Sequence, residues 1–283
     1  MTADPYNQPA EFHYRLRGVT RGVYPGAHRG QAFGSGAVFA GYQGLLDQPD
    51  PRRYDIRASI RDNFGGPRFR AYKQPASVPI TLIADLSASM GFAGKLELLA
   101  AFTEAAAFSS YRNGDPFGFI GCDTTLMMDF LVPSSRGRQA SAQVVQRLRC
   151  WRPQGANANG LLAARYWLKQ QSGLIFLCSD FHLPLALLEK LLAGLAPHRI
   201  VPVIFWQRSE YQALPRFGLA EVLDPETGVR RTLLLRPRLH ERIQQHFAHR
   251  REQLERCFNH WDAAPLYITD HFDPDAVTRY FYA

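Results

Sequence analysis

The chain has 283 residues, of which 46% are hydrophobic and 20% are charged, and its formal net charge is +8. This apolar content excludes an intrinsically disordered chain. The longest apolar runs, such as residues 174–178 and 200–206, are far shorter than the roughly 20 residues that a membrane-spanning helix needs. Residues 1–10 contain no Lys or Arg and no apolar stretch, so we expect no secretory signal, no membrane insertion and a cytoplasmic protein.

The four cysteines stand at positions 122, 150, 178 and 257. None of them forms a Cys-x-x-Cys pair, which argues against a structural zinc site or a redox motif. We therefore predict that they are buried free thiols of a reducing compartment.

Most of the positive charge lies in residues 12–77. This segment contains 11 Lys and Arg residues against four Asp residues, a net charge of +7, interleaved with Phe and Tyr. Such a segment can bind nucleic acid through phosphate contacts and base stacking. No helix-turn-helix pattern, zinc-finger spacing or RNA-binding aromatic motif accompanies the charge. We therefore favour a solvated surface or a surface for an acidic protein partner, and keep nucleic-acid binding as an alternative.

The composition divides the chain into four segments. Residues 1–11 are expected to be a loose terminus, and residues 12–77 a basic, β-rich subdomain of short alternating pieces. Residues 78–210 are expected to form an α/β domain, and residues 211–283 a C-terminal extension that packs on the same core.

Buried strands alternate with amphipathic helices from Ile80 onward. Strands are predicted at residues 80–84, 117–122, 126–132, 174–178 and 200–206, and helices at residues 95–111, 138–148, 161–170 and 183–195. This alternation is typical of a doubly wound, mostly parallel sheet with helices on both faces.

The C-terminal segment carries its own signals. Residues 220–235 predict a β-hairpin that turns at residues 225–228, and residues 239–261 predict a long amphipathic helix. A last strand is predicted at residues 266–269 and a closing helix at residues 274–281.

Polar side chains follow two of the predicted strands. Asp85, Ser87 and Ser89 come directly after the strand at residues 80–84, and Asp180 follows the strand at residues 174–178. Ligands of doubly wound sheets bind beyond the carboxyl ends of the strands. We therefore expect these oxygens to meet, and to be joined by the amide of Asn157 from a polar loop at residues 155–160.

An oxygen-only ligand set with few charges suits Mg²⁺, with Mn²⁺ or Ca²⁺ as alternatives. An open coordination position at such a site can accept a carboxylate from another protein. The competing interpretation of Asp-x-Ser-x-Ser is a helix N-cap with spare hydroxyl groups.

Common enzyme motifs are missing from the sequence. It contains no Gly-x-Ser-x-Gly elbow, no Gly-x-x-x-x-Gly-Lys loop and no Gly-x-Gly-x-x-Gly loop. A Mg²⁺-dependent hydrolase that uses Asp85 and Asp180 stays open as an alternative. We expect a protein that is not an enzyme.

The run Asp85-Leu-Ser-Ala-Ser-Met-Gly resembles the metal-ion-dependent adhesion site of von Willebrand factor A domains. Four further motifs are similar to those of the bacterial family called "domain of unknown function 58", over roughly residues 26–250. They are Asp50-Pro-Arg-Arg-Tyr-Asp-Ile-Arg-Ala-Ser-Ile-Arg, Asn113-Gly-Asp-Pro-Phe-Gly-Phe, Ser179-Asp-Phe and Leu223-Asp-Pro-Glu-Thr-Gly.

This resemblance implies a von Willebrand factor A-like domain, typically encoded beside a MoxR-type AAA+ ATPase. Members are thought to be partners or adaptors of that ATPase in assembling or activating other proteins, not enzymes. Asp85, Ser87 and Ser89 match the first metal motif, and Asp180 matches the later Asp. Asn157 stands where A domains usually have Thr. Together with the oxygen-rich strand ends, the resemblance implies a metal-dependent protein-binding module whose partner is an AAA+ ATPase or an acidic client.

Overall fold

The computed structural model describes residues 9–15, 25–47, 49–62, 66–169, 171–212, 217–223 and 230–283. The chain forms two compact units. The smaller unit consists of Arg15–Val78 with Asn113–Asp115, and the larger unit takes in the segment up to Tyr14, Pro79–Arg112 and Pro116–Ala283.

The smaller unit is an antiparallel ribbon of two strands with a short helix between them in sequence. Strand β1 (Pro25–Gln43) pairs with β2 (Phe69–Ala76) through several shifts of register. Two 3₁₀ turns, Leu45–Asp47 and Pro51–Arg53, and helix α1 (Ile56–Ile60) connect the strands. The β-rich character predicted for this segment is confirmed.

The larger unit alternates strands and helices. Its strands are β3 (Ile80–Asp85), β4 (Phe117–Cys122), β5 (Leu126–Ser135), β6 (Leu174–Ser179), β7 (Arg199–Trp206), β8 (Gly218–Leu223), β9 (Arg230–Leu235) and β10 (Leu266–Thr269). Its helices are α2 (Lys95–Arg112), α3 (Gln139–Cys150), α4 (Leu185–Leu195), α5 (Arg208–Tyr211), α6 (Pro237–His260) and α7 (Pro274–Tyr282), with 3₁₀ segments at Ala88–Gly91 and Asn159–Trp167.

Six strands form one sheet in the order β10-β7-β6-β3-β4-β5. Every neighbouring pair is parallel except β4 and β5, which are antiparallel. The predicted mostly parallel α/β sheet is therefore confirmed. The hairpin β8–β9 is also confirmed, and its turn at residues 225–228 lies outside the described residues.

Successive side chains of a strand point to opposite faces of the sheet. Helices pack against both of these faces. Phe176 of β6 contacts Phe102 of α2 and Phe281 of α7. The neighbouring residues of β6, Ile175 and Leu177, lie in a separate buried cluster with residues of α4 and α6. This arrangement agrees with the predicted doubly wound topology.

The segment Asn159–Trp167 is a 3₁₀ helix, whereas the sequence predicted an α-helix at residues 161–170. Its buried Leu161 and Ala164 are three residues apart, which is the repeat of a 3₁₀ helix. The prediction of an α-helix was therefore wrong in type.

The structure corrects the prediction of four buried free thiols for two of the cysteines. Cys122 and Cys178 are buried, and burial raises the pKa of Cys122 to about 12. Cys150 is exposed and Cys257 is half-buried, so the prediction of four buried thiols was wrong for these two.

The smaller unit begins later in the chain than the basic subdomain predicted at residues 12–77. Phe12 and Tyr14 lie in the core of the larger unit, not with the basic segment.

No helix within the described ranges combines the length and the apolar character that crossing a membrane requires.

Candidate metal centre

The candidate site lies at the centre of the sheet, where β3 and β6 end side by side. Asp85 is the last residue of β3, and Asp180 directly follows β6. Ala84 pairs with Cys178 in the parallel register of the two strands. The chain leaves β3 for β4 on one side and later returns to β6 on the other. This switch in strand order opens the crevice in which doubly wound sheets bind ligands.

Asp85 is a buried carboxylate, 1% exposed. Its Oδ1 accepts a hydrogen bond from the backbone N–H of Ser87 at 2.9 Å, and its Oδ2 accepts one from the Ser179 hydroxyl at 2.7 Å. Burial and the nearby charge of Asp180 raise the pKa of Asp85 to about 6. Among the described residues, no Lys or Arg forms an ion pair with Asp85. A buried carboxylate held by neutral donors is the group that a cation would stabilise most.

The two serines present their hydroxyl groups together. Ser87 is buried and Ser89 is half-buried, and their Oγ atoms lie 3.3 Å apart. Two neighbouring ligands of an octahedral Mg²⁺, each about 2.1 Å from the metal, are about 3 Å apart. The spacing of the serines therefore suits adjacent coordination positions.

Asp180 is already engaged by donors of the chain. Its Oδ2 lies 2.9 Å from Lys95 Nζ, and its Oδ1 accepts from the backbone N–H of His182 at 3.3 Å. Burial raises the pKa of Asp180, but Lys95, His182 and a hydrogen bond from Ser89 together hold it below its ordinary value. Asp180 is thus an ionised carboxylate that orients Ser89 and pairs with an ammonium group.

Lys95 is a functional candidate that the sequence analysis missed. It is the first residue of α2, and its side chain is 2% exposed. Its Nζ also lies 2.5 Å from Oε1 of Glu210, in α5. Neither oxygen of Glu210 accepts a hydrogen bond of good geometry, so this contact is mainly electrostatic. Burial lowers the pKa of Lys95, but the two carboxylates outweigh it and raise the pKa above its ordinary value.

The loop that carries Asn157 lies against the serine segment. Ala88 N–H donates to the Gly155 carbonyl at 2.9 Å, and Ser87 and Gly155 form a parallel bridge. The amide oxygen of Asn157 accepts from the backbone N–H of Asn159 at 3.0 Å. The structure thus brings the loop to the site and uses this oxygen to hold the loop's own turn.

Close packing explains the glycines of this loop. A Cβ at Gly155 would lie 2.6 Å from Cβ of Asp123, and a Cβ at Gly160 would lie 2.4 Å from the Thr125 carbonyl oxygen. Since real Cβ atoms do not approach so closely, only glycine lets the loop pack at this depth.

The donor set fits a hard divalent cation. Asp85, Ser87 and Ser89 supply three oxygens from one tight segment, and Ser179 orients the carboxylate. In the part of the chain that the structure describes, no group of three His, Cys, Asp or Glu side chains forms a metal cluster. A metal here would therefore depend on hydroxyl oxygens and water, as Mg²⁺ accepts.

Aromatic side chains border the crevice. Trp206 Nε1 donates to the Asp180 carbonyl at 2.8 Å, and the His182 ring stacks on Trp206 with a centroid distance of 6.0 Å. Phe92, which follows the serine segment, is 48% exposed. The Phe92 ring centroid lies 5.9 Å from Lys95 Nζ, and an exposed aromatic beside the candidate site is suited to contact with a protein partner.

A basic groove in the smaller unit is the second candidate surface. It has a volume of about 610 Å³ and is lined by four arginines and two aspartates, Arg57, Arg61, Arg68, Arg70, Asp55 and Asp62. Arg68 pairs with Asp62 and Arg70 with Asp55, each at 2.7 Å. Among the described residues, Arg57 and Arg61 have no acidic partner, so the groove keeps a net positive charge.

Comparison with known proteins identifies relatives of the chain. A protein of Paracoccus denitrificans, described as an uncharacterized protein in the moxR 3' region, is 42% identical over 103 residues, which are 36% of this chain and 96% of that protein. The solved structure of the conserved hypothetical protein BatB from Bacteroides thetaiotaomicron is 13% identical, with a TM-score of 0.42 over 72% of this chain and 96% of that one. A von Willebrand factor type A structure from Catenulispora acidiphila is 13% identical, with a TM-score of 0.40 over 74% of this chain and 42% of that one.

The match to a protein family covers most of the chain. The family described as "Protein of unknown function DUF58" matches residues 50–253, a range that contains Asp85, Ser87, Ser89, Lys95 and Asp180. The chain belongs to the DUF58 family.

Proposed function

We propose that this protein is a non-enzymatic, metal-dependent protein-binding module that acts as an adaptor of a MoxR-type AAA+ ATPase. The observation that carries the proposal is Asp85, a buried carboxylate whose hydrogen-bond donors are neutral and beside which two serine hydroxyls lie. This constellation suits a divalent cation with an open coordination position.

In this proposal Asp85, Ser87 and Ser89 hold Mg²⁺. When bound, the ion supplies a coordination position that a carboxylate of the partner can fill. Ser179 fixes the orientation of Asp85, Asp180 orients Ser89, and the exposed ring of Phe92 offers an apolar contact beside the metal.

The contacts of Asp85 and Asp180 favour a binding role over a catalytic role. Asp85 accepts two hydrogen bonds, and Asp180 pairs with the Lys95 ammonium. In this proposal the metal occupies Asp85 and the Lys95 ammonium pairs with Asp180, so neither carboxylate is placed to act as a general base. Mg²⁺-dependent hydrolysis of phosphate esters by the purified chain would contradict this part of the proposal.

The choice of an AAA+ ATPase as partner is supported by the relative from Paracoccus denitrificans, which is described by its position in the moxR 3' region. The test is capture of the MoxR-type ATPase encoded nearest to this protein. We expect the immobilised chain to retain that ATPase in Mg²⁺ and to lose most of it in EDTA. Equal retention in both buffers would contradict a metal-bridged contact.

The basic groove supports an acidic segment as a further contact of the same partner. The charge-reversing double variant Arg57→Glu/Arg61→Glu is expected to weaken ATPase capture about tenfold at low salt, since both side chains lack an acidic partner among the described residues. The effect should shrink as salt rises, because salt screens exposed charges.

The matched control is Arg238→Glu/Arg242→Glu on α6, which makes the same charge change at exposed positions of the larger unit. Equal losses for the two double variants would show that net charge, not the groove, matters. The alternative of nucleic-acid binding predicts that Arg57→Glu/Arg61→Glu loses retention on a DNA column while ATPase capture is unchanged.

A further inference from the structure

Lys95 places a positive charge inside the carboxylate cluster of the candidate metal centre. Three elements contribute to the contact, since Lys95 begins α2, Asp180 follows β6 and Glu210 lies in α5. The side chains of Lys95 and Asp180 are each 2% exposed, and that of Glu210 is 10% exposed. An ammonium group this deeply buried is stable only if it is paired.

The charges of the cluster do not cancel. Asp85, Asp180 and Glu210 can carry three negative charges. Lys95 is the cation that contacts two of these carboxylates, and the Arg250 guanidinium, which donates to the Phe181 and Leu183 carbonyls, adds a more distant positive charge near Asp180. Lys95 contacts Asp180 and Glu210 at 2.9 Å and 2.5 Å, and it forms no ion pair with Asp85. The ammonium therefore compensates the inner part of the cluster and leaves Asp85 for a second cation.

The same contacts set Asp180 apart from Asp85. Its Oδ2 pairs with the Lys95 ammonium and its Oδ1 accepts from the His182 backbone N–H, whereas the donors to Asp85 are neutral. A divalent cation at Asp85, Ser87 and Ser89 would lie in the field of the Lys95 charge. Lys95 contacts Asp180, and the charge of Asp180 acts on Asp85, so the ammonium and the metal would share one buried cluster in which like charges repel.

We propose that Lys95 is a resident cation of this crevice, which holds the carboxylates in place without a metal and keeps the divalent-cation affinity of the Asp85 site low. The inference rests on the proposed function, because it concerns the same metal site. It implies that the site is preformed in the metal-free protein, and that an added ligand such as a partner carboxylate strengthens metal retention.

The test is the nearly isosteric substitution Lys95→Met in the full chain, with Mn²⁺ as the probe. We expect the affinity of Lys95→Met for Mn²⁺ to be higher than that of the unsubstituted chain by a factor of about ten or more. Calorimetry or the electron paramagnetic resonance signal of Mn²⁺ measures the change. We also expect the melting temperature of Lys95→Met to fall in EDTA and recover in Mn²⁺, while that of the unsubstituted chain changes little.

A second pair of variants protects the test against misfolding. Lys95→Met leaves the buried carboxylates of Asp180 and Glu210 without their ammonium partner. The double variant Lys95→Met/Glu210→Gln removes one of these two charges, and its reference is Glu210→Gln alone. The control Lys190→Met changes an exposed lysine of α4 and should leave Mn²⁺ affinity unaltered. The inference would be overturned by two results together. Lys95→Met would bind Mn²⁺ no more tightly than the unsubstituted chain, and Lys95→Met/Glu210→Gln no more tightly than Glu210→Gln.

The outcome also separates this inference from the proposed function. If the unsubstituted chain binds no Mn²⁺ but Lys95→Met does, the inference stands and metal-dependent partner binding fails. If the unsubstituted chain binds Mn²⁺ and captures the ATPase, and Lys95→Met binds no more tightly, the proposed function stands and the inference fails.

Discussion

The substitution Asp85→Asn is expected to lower the affinity of the full chain for Mn²⁺ about a hundredfold or more. The amide keeps the size of the carboxylate but removes the charge that a divalent cation needs. Loss of a residue that only supports a metal ligand already costs about 10- to 100-fold in affinity, so loss of the one carboxylate in the proposed set should cost at least as much. Calorimetric titration with Mn²⁺ measures the change.

This loss should occur in a folded protein. Asp85 is 1% exposed, and burial with the charge of Asp180 raises its pKa to about 6. The fold thus disfavours the ionised form, and a neutral amide at this position should not lower the free energy of unfolding at neutral pH. The amide can keep both contacts of Asp85 if its oxygen accepts from the Ser87 backbone N–H and its NH₂ group donates to the Ser179 hydroxyl oxygen.

The control for Asp85→Asn is Asp270→Asn, which removes a carboxylate from the loop after β10. Asp270 forms an exposed ion pair with Arg208 at 3.3 Å. Since it is not one of the proposed metal ligands, Mn²⁺ affinity should not change. Capture of the ATPase should fall with Asp85→Asn in Mg²⁺ to the level seen in EDTA. Tight Mn²⁺ binding by folded Asp85→Asn would show that the metal lies elsewhere.

Local motifs made the carboxylate and hydroxyl part of the site predictable. Asp85, Ser87 and Ser89 lie within five residues, and Asp180 follows a strongly apolar strand, so strand ends alone predicted their proximity. The role of Lys95 was not predicted because its partner Asp180 is 85 residues away in sequence. One signal was available, since a lysine at the first residue of a helix opposes the helix dipole and calls for a local explanation.

The fold was predictable for a related reason. The strands of the central sheet are continuous apolar runs, as β4 and β6 show with every residue buried, and such runs are typical of parallel sheets. Metal coordination by Asn157 stays a prediction that its position alone does not decide, because an Asn side chain can also accept a hydrogen bond within its own turn. The structure shows that use, with Asn159 as the donor.

The N-terminal segment misled the sequence analysis because its polar and aromatic residues alternate like those of the basic ribbon. Phe12 instead fills the core of the larger unit and is 1% exposed. Its ring stacks on Phe102 at a centroid distance of 5.7 Å and meets Phe176 edge-on at 6.0 Å. Its backbone N–H donates to the Ser109 hydroxyl of α2 at 2.9 Å.

The substitution Phe12→Ala is therefore expected to lower the free energy of unfolding of the larger unit by about 3–5 kcal/mol, the usual cost of removing a buried Phe side chain. All four tryptophans, at positions 151, 167, 206 and 261, lie in the larger unit, so denaturant titration followed by tryptophan fluorescence reports on it directly. The control Phe39→Ala removes a ring that is 51% exposed in the smaller unit and should change this transition by less than about 1 kcal/mol.

Phe12→Ala also separates stability from metal binding. Phe176 lies in β6, the strand whose end leads to Asp180, so the lost ring weakens the scaffold beneath the site without touching a proposed ligand. We expect Mn²⁺ affinity per folded molecule to stay within about twofold of the unsubstituted chain. A cost of less than about 1 kcal/mol would mean that residues 9–15 do not anchor in this core, whereas a large loss of Mn²⁺ affinity in folded protein would mean that the N-terminal segment shapes the metal crevice itself.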